Sequence, residues 1–89
     1  MVICSQILIQ GRVQNVGFRY FTFKTARTLE LSGFVKNELD GSVYIEVEGD
    51  ESHVNEFIEE IKKGPSWARV DQVDVNTCPV QNFSEFYVK

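Results

Sequence analysis

Apolar and polar residues alternate at the start of the chain, and this pattern predicts a strand. Over residues 2–10, Ile3, Ile7 and Ile9 fall on one face of an extended segment, and the residues between them fall on the other. The segment 43–48 alternates in the same way and follows the Asp40-Gly41 pair, a strong hairpin signal. Three further strands are predicted at 34–37, 70–75 and 86–88.

Two segments show helical spacing instead. From Phe18 to Leu31, apolar residues recur every three or four positions, and we expect Gly33 to stop this helix. The second helix is predicted to begin near a cap at Asp50 or Ser52 and to stop at Gly64-Pro65. The residues expected to face the core are Phe18, Thr22, Ala26 and Leu29 in the first helix, and Val54, Phe57, Ile58 and Ile61 in the second.

The order strand, helix, strand, strand, helix, strand predicts an α+β fold, the ferredoxin-like two-layer sandwich (βαββαβ). We expect one domain over residues 1–89, with an antiparallel sheet in the order 4-1-3-2 and a short extra C-terminal strand. In this topology strands one and two run in the same direction on either side of strand three. Their ends therefore meet at one edge, two strand spacings or roughly 10 Å apart. That distance makes Asn37, after strand two, a candidate partner for the loop after strand one.

That loop holds the most informative residues of the chain. Gly11-Arg12-Val13-Gln14-Asn15-Val16-Gly17-Phe18 lies between a strand and a helix, and Arg19 follows in the first helical turn. The first turn of a helix has N–H groups without carbonyl partners, and the helix dipole adds positive potential there, so the loop predicts an anion site. The guanidinium of Arg19 supplies a planar fork of donors suited to phosphate oxygens. The loop has neither the Gly-Lys-Ser/Thr ending of a nucleotide P-loop nor the spacing of a dinucleotide motif.

Charge is unevenly distributed along the chain. The net charge is −4, but residues 1–37 carry five basic and one acidic residue, and residues 38–89 carry four basic and twelve acidic ones. The basic half predicts attraction of a small anion, while the acidic half argues against a long polyanion such as nucleic acid. The alternative is that the charged side chains only keep two faces of the domain in contact with water and bind no ligand. No run approaches a membrane span or a signal peptide, so we expect a cytoplasmic protein without a membrane partner.

The two cysteines do not form a metal motif, because Cys4 and Cys78 are too few and too far apart in sequence. We expect strands one and four to be antiparallel neighbours, which brings the two sulfurs near each other. A disulfide requires Cα atoms within about 7 Å, whereas a reducing cytosol favours two free buried thiols.

Several motifs taken together closely resemble the acylphosphatase family over essentially the whole chain. They are the loop ending in Gly17-Phe18-Arg19, Gly33-Phe34-Val35-Lys36-Asn37, Asp40-Gly41-Ser42-Val43 and Gly64-Pro65-Ser66-Trp67-Ala68-Arg69-Val70. The resemblance implies a small enzyme that hydrolyses the carboxyl–phosphate bond of acyl phosphates without a metal or other cofactor. It implies that Arg19 is the catalytic phosphate-binding arginine and that Asn37 positions the attacking water. The phosphate would be bound by the backbone amides of Gln14, Asn15, Val16, Gly17 and Phe18, and we expect the protein to act as a monomer.

One residue departs from the family pattern, since Asn15 stands where the family loop usually has glycine. If that position requires a positive φ, asparagine is the next most tolerant residue. We therefore expect the loop to form, with an altered rate rather than a lost site.

Other readings of the sequence make different predictions. An RNA-recognition module shares this element order but requires stacking aromatics on strands one and three, and Cys4, Gln6 and Leu8 occupy strand one instead. A catalytically silent phosphate-binding or regulatory domain on the same scaffold is the second alternative, and activity on a simple acyl phosphate separates it from an enzyme. Trp67 is expected to pack beside the Gly64-Pro65 turn, and His53 to be a solvated helix residue.

Overall fold

The computed structural model describes all 89 residues and confirms the predicted order of elements. The strands and helices are β1 (Val2–Arg12), α1 (Phe18–Thr28), β2 (Ser32–Asn37), β3 (Val43–Asp50), α2 (Glu51–Lys63), β4 (Arg69–Cys78) and β5 (Phe86–Val88). The sheet order is β4-β1-β3-β2-β5, so the predicted 4-1-3-2 arrangement is confirmed. The short β5 pairs parallel with the outer edge of β2, while all other neighbours are antiparallel.

Both helices cover one face of the sheet, with α1 over β2 and β5 and α2 mainly over β3 and β1. The core forms between the two layers, and the predicted helix faces supply it. Phe18, Thr22, Ala26, Val54, Phe57 and Ile61 are fully buried, whereas Leu29 and Ile58 are half-buried. Neither helix has the length and apolar character needed to cross a membrane.

The helix α1 ends three residues earlier than predicted, at Thr28 rather than Leu31. Glu30 adopts a left-handed φ of 57°, and its N–H donates to the Arg27 carbonyl at 3.2 Å. The N–H of the buried Leu31 reaches back to the Ala26 carbonyl at 2.9 Å. These two bonds form a Schellman motif, which usually places glycine where Glu30 lies. The prediction that Gly33 stops the helix is therefore wrong, because the usual glycine signal is absent at the real helix end.

Gly33 instead lies inside β2 with φ 137°, where a Cβ atom would overlap the backbone carbonyl of Glu46 on β3. We expect Gly33→Ala to lower the free energy of unfolding by about 2–4 kcal/mol, since both the φ angle and the strand contact reject a side chain. Urea unfolding measures this change. The matched control is Gly41→Ala, which has φ 97° but no atom near its added Cβ. Equal losses in the two variants would contradict the clash at Glu46.

Two smaller expectations are settled by the structure. The indole of Trp67 is 81% exposed, so the prediction that it packs beside the Gly64-Pro65 turn is wrong. Cys4 and Cys78 are direct partners in the β1–β4 register, and both are free thiols, but Cys78 is only half-buried, so the prediction of two buried thiols holds for Cys4 alone. Burial, together with a hydrogen bond to Cys78, raises the pKa of Cys4 to about 12. The Cys4 thiol is therefore protonated, and unreactive as a nucleophile, at neutral pH.

Candidate active site

The loop between β1 and α1 has a backbone that its sequence explains. A bulge between Gln10 and Gly11 shifts the β1–β4 register just before the loop begins. Val13 then anchors the loop in the core, and Asn15 and Gly17 adopt left-handed φ angles of 62° and 80°. Glycine and asparagine are the residues that tolerate this region best. The expectation that Asn15 can replace glycine in this loop is confirmed for the backbone.

The N–H groups of this loop are left without partners inside the protein. No side chain caps α1, and its first turn contains no acidic residue. None of the backbone N–H groups from Gln14 to Gly17 donates to a carbonyl of the chain. The other helix shows the contrast, because α2 is capped by Asp50, whose carboxylate accepts from the Ser52 N–H at 3.2 Å. The loop and first turn of α1 therefore present unpaired donors and the positive helix end to an anion.

Gln14 holds this loop against the connection between β2 and β3. Its Nε2 donates to the carbonyl of Glu38 at 2.7 Å and to the carbonyl of Ser42 at 2.9 Å. Glu38 follows Asn37 directly, so these two bonds fix the end of β2 beside the loop. The side chain of Gln14 thus has a structural contact that sequence reasoning did not identify.

A cavity of about 310 Å³ opens between the loop, the end of β2 and β5. Its lining residues are Val13, Asn15, Gly17, Phe18, Arg19, Tyr20, Asn37 and Val88. The structure thus brings together five of the seven predicted site residues. Gln14 and Val16 lie outside the lining, with Val16 packed against the core, and the predicted binding through their backbone amides stays a prediction.

The Arg19 side chain is held by a hydrogen bond that no local sequence pattern predicts. Its Nη1 donates to the backbone carbonyl of Lys89 at 2.8 Å. Lys89 is itself fixed, since its N–H donates to the Val35 carbonyl of β2 at 2.8 Å. The β5 segment therefore positions the guanidinium 70 residues away in sequence. The remaining guanidinium donors make no hydrogen bond within the protein and are free for an anion.

Asn37 carries a buried polar atom without a partner. Its Oδ1 accepts no hydrogen bond in the protein, although Asn37 lines the cavity. An unsatisfied buried acceptor typically costs about 1–3 kcal/mol, and structures tolerate such atoms mainly where a ligand or water completes them. The carboxamide of Asn37 thus has no hydrogen-bond partner within the protein, while its Oδ1 is shielded from solvent in this conformation.

The lining of this cavity includes no histidine, carboxylate or thiol. Elsewhere in the chain, no three His, Cys, Asp or Glu side chains lie together in a way that could hold a metal ion. The site therefore offers an anion-binding loop, one guanidinium, the carboxamides of Asn15 and Asn37 and the phenol of Tyr20 as its chemical groups.

We expect Asn15→Gly to change kcat/KM for an acyl phosphate by less than about 3-fold, because both residues accept φ 62°. Asn15→Val should lower kcat/KM by about 10-fold or more, since a β-branched residue disfavours this backbone by about 1–2 kcal/mol. Steady-state kinetics on the two variants measure the difference. Equal activity of the glycine and valine variants would contradict a requirement for the left-handed loop conformation.

An α+β sandwich with an amide-lined loop, an arginine and an asparagine at one end of the sheet is an arrangement suited to a small anion-binding protein. Comparison with known proteins narrows this class. The family model described as Acylphosphatase matches residues 5–88, and the chain belongs to the acylphosphatase family.

Individual relatives support the same assignment. The chain is 52% identical over 73 residues to the acylphosphatase of Clostridium beijerinckii, covering 82% of this chain and 81% of that protein. It is 42% identical over 87 residues to the acylphosphatase of Archaeoglobus fulgidus, covering 98% of both chains. The crystal structure of acylphosphatase from Bacillus subtilis superposes with a TM-score of 0.95 at 36% identity, over 100% of this chain and 99% of that one.

Proposed function

We propose that this protein is an acylphosphatase that uses Arg19, the loop amides and Asn37 to hydrolyse the carboxyl–phosphate bond of acyl phosphates. The acylphosphatase activity rests on family membership over nearly the whole chain. The roles of individual residues rest on one observation. Unpaired loop N–H groups, the Arg19 guanidinium and Asn37, whose carboxamide oxygen has no partner in the protein, lie around one cavity.

The phosphoryl group binds at the loop. The free N–H groups of Gln14 to Gly17 and the first turn of α1 donate to its oxygens, and Arg19 adds a charged fork. The Lys89 carbonyl holds the Arg19 guanidinium in a fixed orientation by accepting a hydrogen bond from Nη1. The other nitrogen atoms of the guanidinium stay free to donate to the phosphoryl oxygens. This arrangement stabilises the negative charge spread over the phosphoryl oxygens during transfer, and such preorganised donors are a large catalytic contribution.

Asn37 orients the attacking water. The carboxamide of Asn37 holds this water by a hydrogen bond, and the water oxygen faces the phosphorus atom. Gln14 supports this position, because its bonds to Glu38 and Ser42 hold the end of β2 at the loop. Positioning a reactant in this way replaces a strong base when the reaction is dissociative.

The chemistry of the leaving group explains why the reaction needs so few catalytic side chains. A new bond forms between the water oxygen and phosphorus, and the bond between phosphorus and the carboxyl oxygen breaks. The departing carboxylate has a conjugate acid with a pKa of about 4, so it leaves without a proton. The water proton passes to a phosphoryl oxygen of the substrate. Phosphate and a carboxylate are the products.

Hydrolysis of benzoyl phosphate in water enriched in oxygen-18 tests this chemistry. Attack at phosphorus places the label in inorganic phosphate and leaves benzoate unlabelled, which mass spectrometry distinguishes. Label in benzoate would show attack at the carbonyl carbon and would overturn the roles proposed for Arg19 and Asn37.

The pH dependence should show no inflection near pH 6.5, the region where histidine titrates at about its ordinary pKa. The reason is that the cavity lining contains no histidine, carboxylate or thiol, and His53 lies on α2 outside it. Measurement of kcat between pH 5 and 8, the interval in which histidine most often changes charge, checks this prediction in the parent protein and in His53→Gln. An inflection near pH 6.5 that disappears in His53→Gln would contradict the mechanism.

The same proposal includes the substrate, the cellular compartment and the oligomeric state. The partner is a small-molecule acyl phosphate, and the protein works in the cytoplasm as a monomer without metal, nucleic acid or membrane. The charge distribution supports this proposal, because the basic half of the sequence contains the loop and the acidic half disfavours polyanions.

A further inference from the structure

A second and larger cavity lies beside the phosphate site, between the two helices. This interhelical groove, about 540 Å³, is lined by Tyr20, Phe21, Lys24 and Leu29 of the α1 region and by Glu56 and Glu60 of α2, among others. We propose that the groove binds the acyl group of the substrate and makes the enzyme selective for apolar, aromatic acyl groups. This inference rests on the proposed function and adds the part of the substrate that the phosphate loop does not contact.

The two cavities are adjacent and share part of their walls. Gly17 and Tyr20 line both the phosphate cavity and the groove. A substrate whose phosphoryl group lies on the loop amides therefore has a direct path for its acyl group across Tyr20. The residue Tyr20 is 64% exposed, so a group that leaves the phosphate cavity can contact it.

The direction of the groove fits an in-line displacement. In such a reaction the attacking and leaving oxygens lie on opposite sides of the phosphorus. Asn37, which orients the water, ends β2, and α1 packs over β2 and β5. The groove lies between α1 and α2. Asn37 lines the phosphate cavity but not the groove, so the water and the acyl group have separate residues, as an in-line displacement requires.

The walls of the groove determine which acyl groups it accepts. Tyr20, Phe21, Leu29 and Pro65 provide ring and aliphatic surface. Lys24 lies over the Tyr20 ring, with its Nζ 5.6 Å from the ring centroid. An aromatic acyl group can pack against the same ring, since aromatic pairs favour offset or edge contacts.

Acidic side chains line the opposite wall and set a charge preference. Glu60 has Lys63 as an ion-pair partner at 3.5 Å, whereas Glu56 has no ion-pair partner. Lys24 also lines the groove, but with Glu56 and Glu60 the formal charge of the lining is −1, so a second carboxylate on the acyl group is disfavoured. The groove therefore favours benzoyl phosphate over an acyl phosphate with a free carboxylate, such as succinyl phosphate.

Selectivity between three substrates tests this inference. We compare kcat/KM for benzoyl, acetyl and succinyl phosphate in the parent protein, Tyr20→Ala and Glu56→Gln. The acetyl group is too short to extend along the groove, so acetyl phosphate serves as the internal reference. Ratios of kcat/KM measured on one preparation are independent of the folded fraction, which separates selectivity from stability.

Tyr20→Ala should lower the benzoyl-to-acetyl ratio by roughly 3- to 10-fold, the range that one aromatic contact typically supplies. Glu56→Gln should raise the succinyl-to-acetyl ratio by about 2- to 5-fold, as expected for an exposed charge pair. Trp67→Ala is the matched control, because its ring is also exposed but lies outside the groove. It should leave both ratios unchanged.

Unchanged ratios in Tyr20→Ala and Glu56→Gln, or an equal change in Trp67→Ala, would overturn the acyl site. These results are distinct from failure of the proposed function. If the proposed function is wrong, acetyl phosphate is not hydrolysed by the parent protein, and no ratio exists to compare.

Discussion

Arg19→Ala should lower kcat/KM for benzoyl phosphate by 100- to 1,000-fold or more, the order of magnitude found when one preorganised oxyanion donor is removed. The guanidinium of Arg19 is the only cationic side chain in the lining of the phosphate cavity. Its loss removes both a charge and a fork of donors, so phosphate binding should weaken together with turnover. Steady-state kinetics and the inhibition constant of inorganic phosphate measure the two effects.

Arg19→Lys is the informative control for this prediction. It keeps the positive charge but not the planar fork, and it cannot donate to the Lys89 carbonyl and the phosphoryl group in the same geometry. We expect it to recover less than about a tenth of the lost activity. Because Arg19 is exposed and makes one hydrogen bond in the protein, neither variant should lose its fold, and circular dichroism checks this. Full activity in Arg19→Lys would mean that charge alone is required.

Asn37→Ala should lower kcat by about 100-fold or more, while the inhibition constant of inorganic phosphate changes by less than about 3-fold. The water loses the carboxamide that orients it, and misplacement of a reactant by about 1 Å can cost on the order of 100-fold. The phosphate ligands on the loop and on Arg19 remain in place. The split between kcat and phosphate inhibition is the measurement, since a damaged fold would change both.

Asn37→Asp is the matched variant for the role of the carboxamide. It is similar in size but brings a negative charge beside the bound phosphoryl group, so we expect weaker phosphate inhibition together with low turnover. Loss of phosphate inhibition in Asn37→Ala, rather than in Asn37→Asp alone, would contradict the water-positioning role and place Asn37 among the phosphate ligands.

The sheet order and both helix faces could be predicted from the sequence because local signals agree with the global fold. Few chain topologies are compatible with the alternating strand patterns around Ile7 and Ile45 and with a hairpin at Asp40-Gly41. The end of α1 was mispredicted for a physical reason. Its Schellman motif uses Glu30 in place of glycine, and the burial of Leu31 offsets the cost of that backbone. A tertiary contact thus overrode the residue preference.

The parts of the site that follow from the order of the strands and helices could be predicted from the sequence. The parts that depend on contacts between residues far apart in the sequence could not. Parallel directions of β1 and β2 place the loop and Asn37 at one edge, which the topology alone requires. The contact of Arg19 with Lys89 depends on β5, which pairs parallel with β2. A three-residue strand near the chain end carries no sequence signal for its partner, so this contact could not be foreseen. Tyr20 was likewise missed, since an exposed ring on a first helical turn has no distinguishing pattern.

Initial rates of benzoyl phosphate hydrolysis by the purified protein, with a metal chelator present, decide whether this site is catalytic. We expect turnover that the chelator leaves unchanged and that inorganic phosphate inhibits, because the loop amides, Arg19 and Asn37 supply the whole site. A folded protein that binds phosphate but hydrolyses no benzoyl phosphate would instead be a silent phosphate-binding domain. Turnover that the chelator abolishes would contradict the metal-free mechanism.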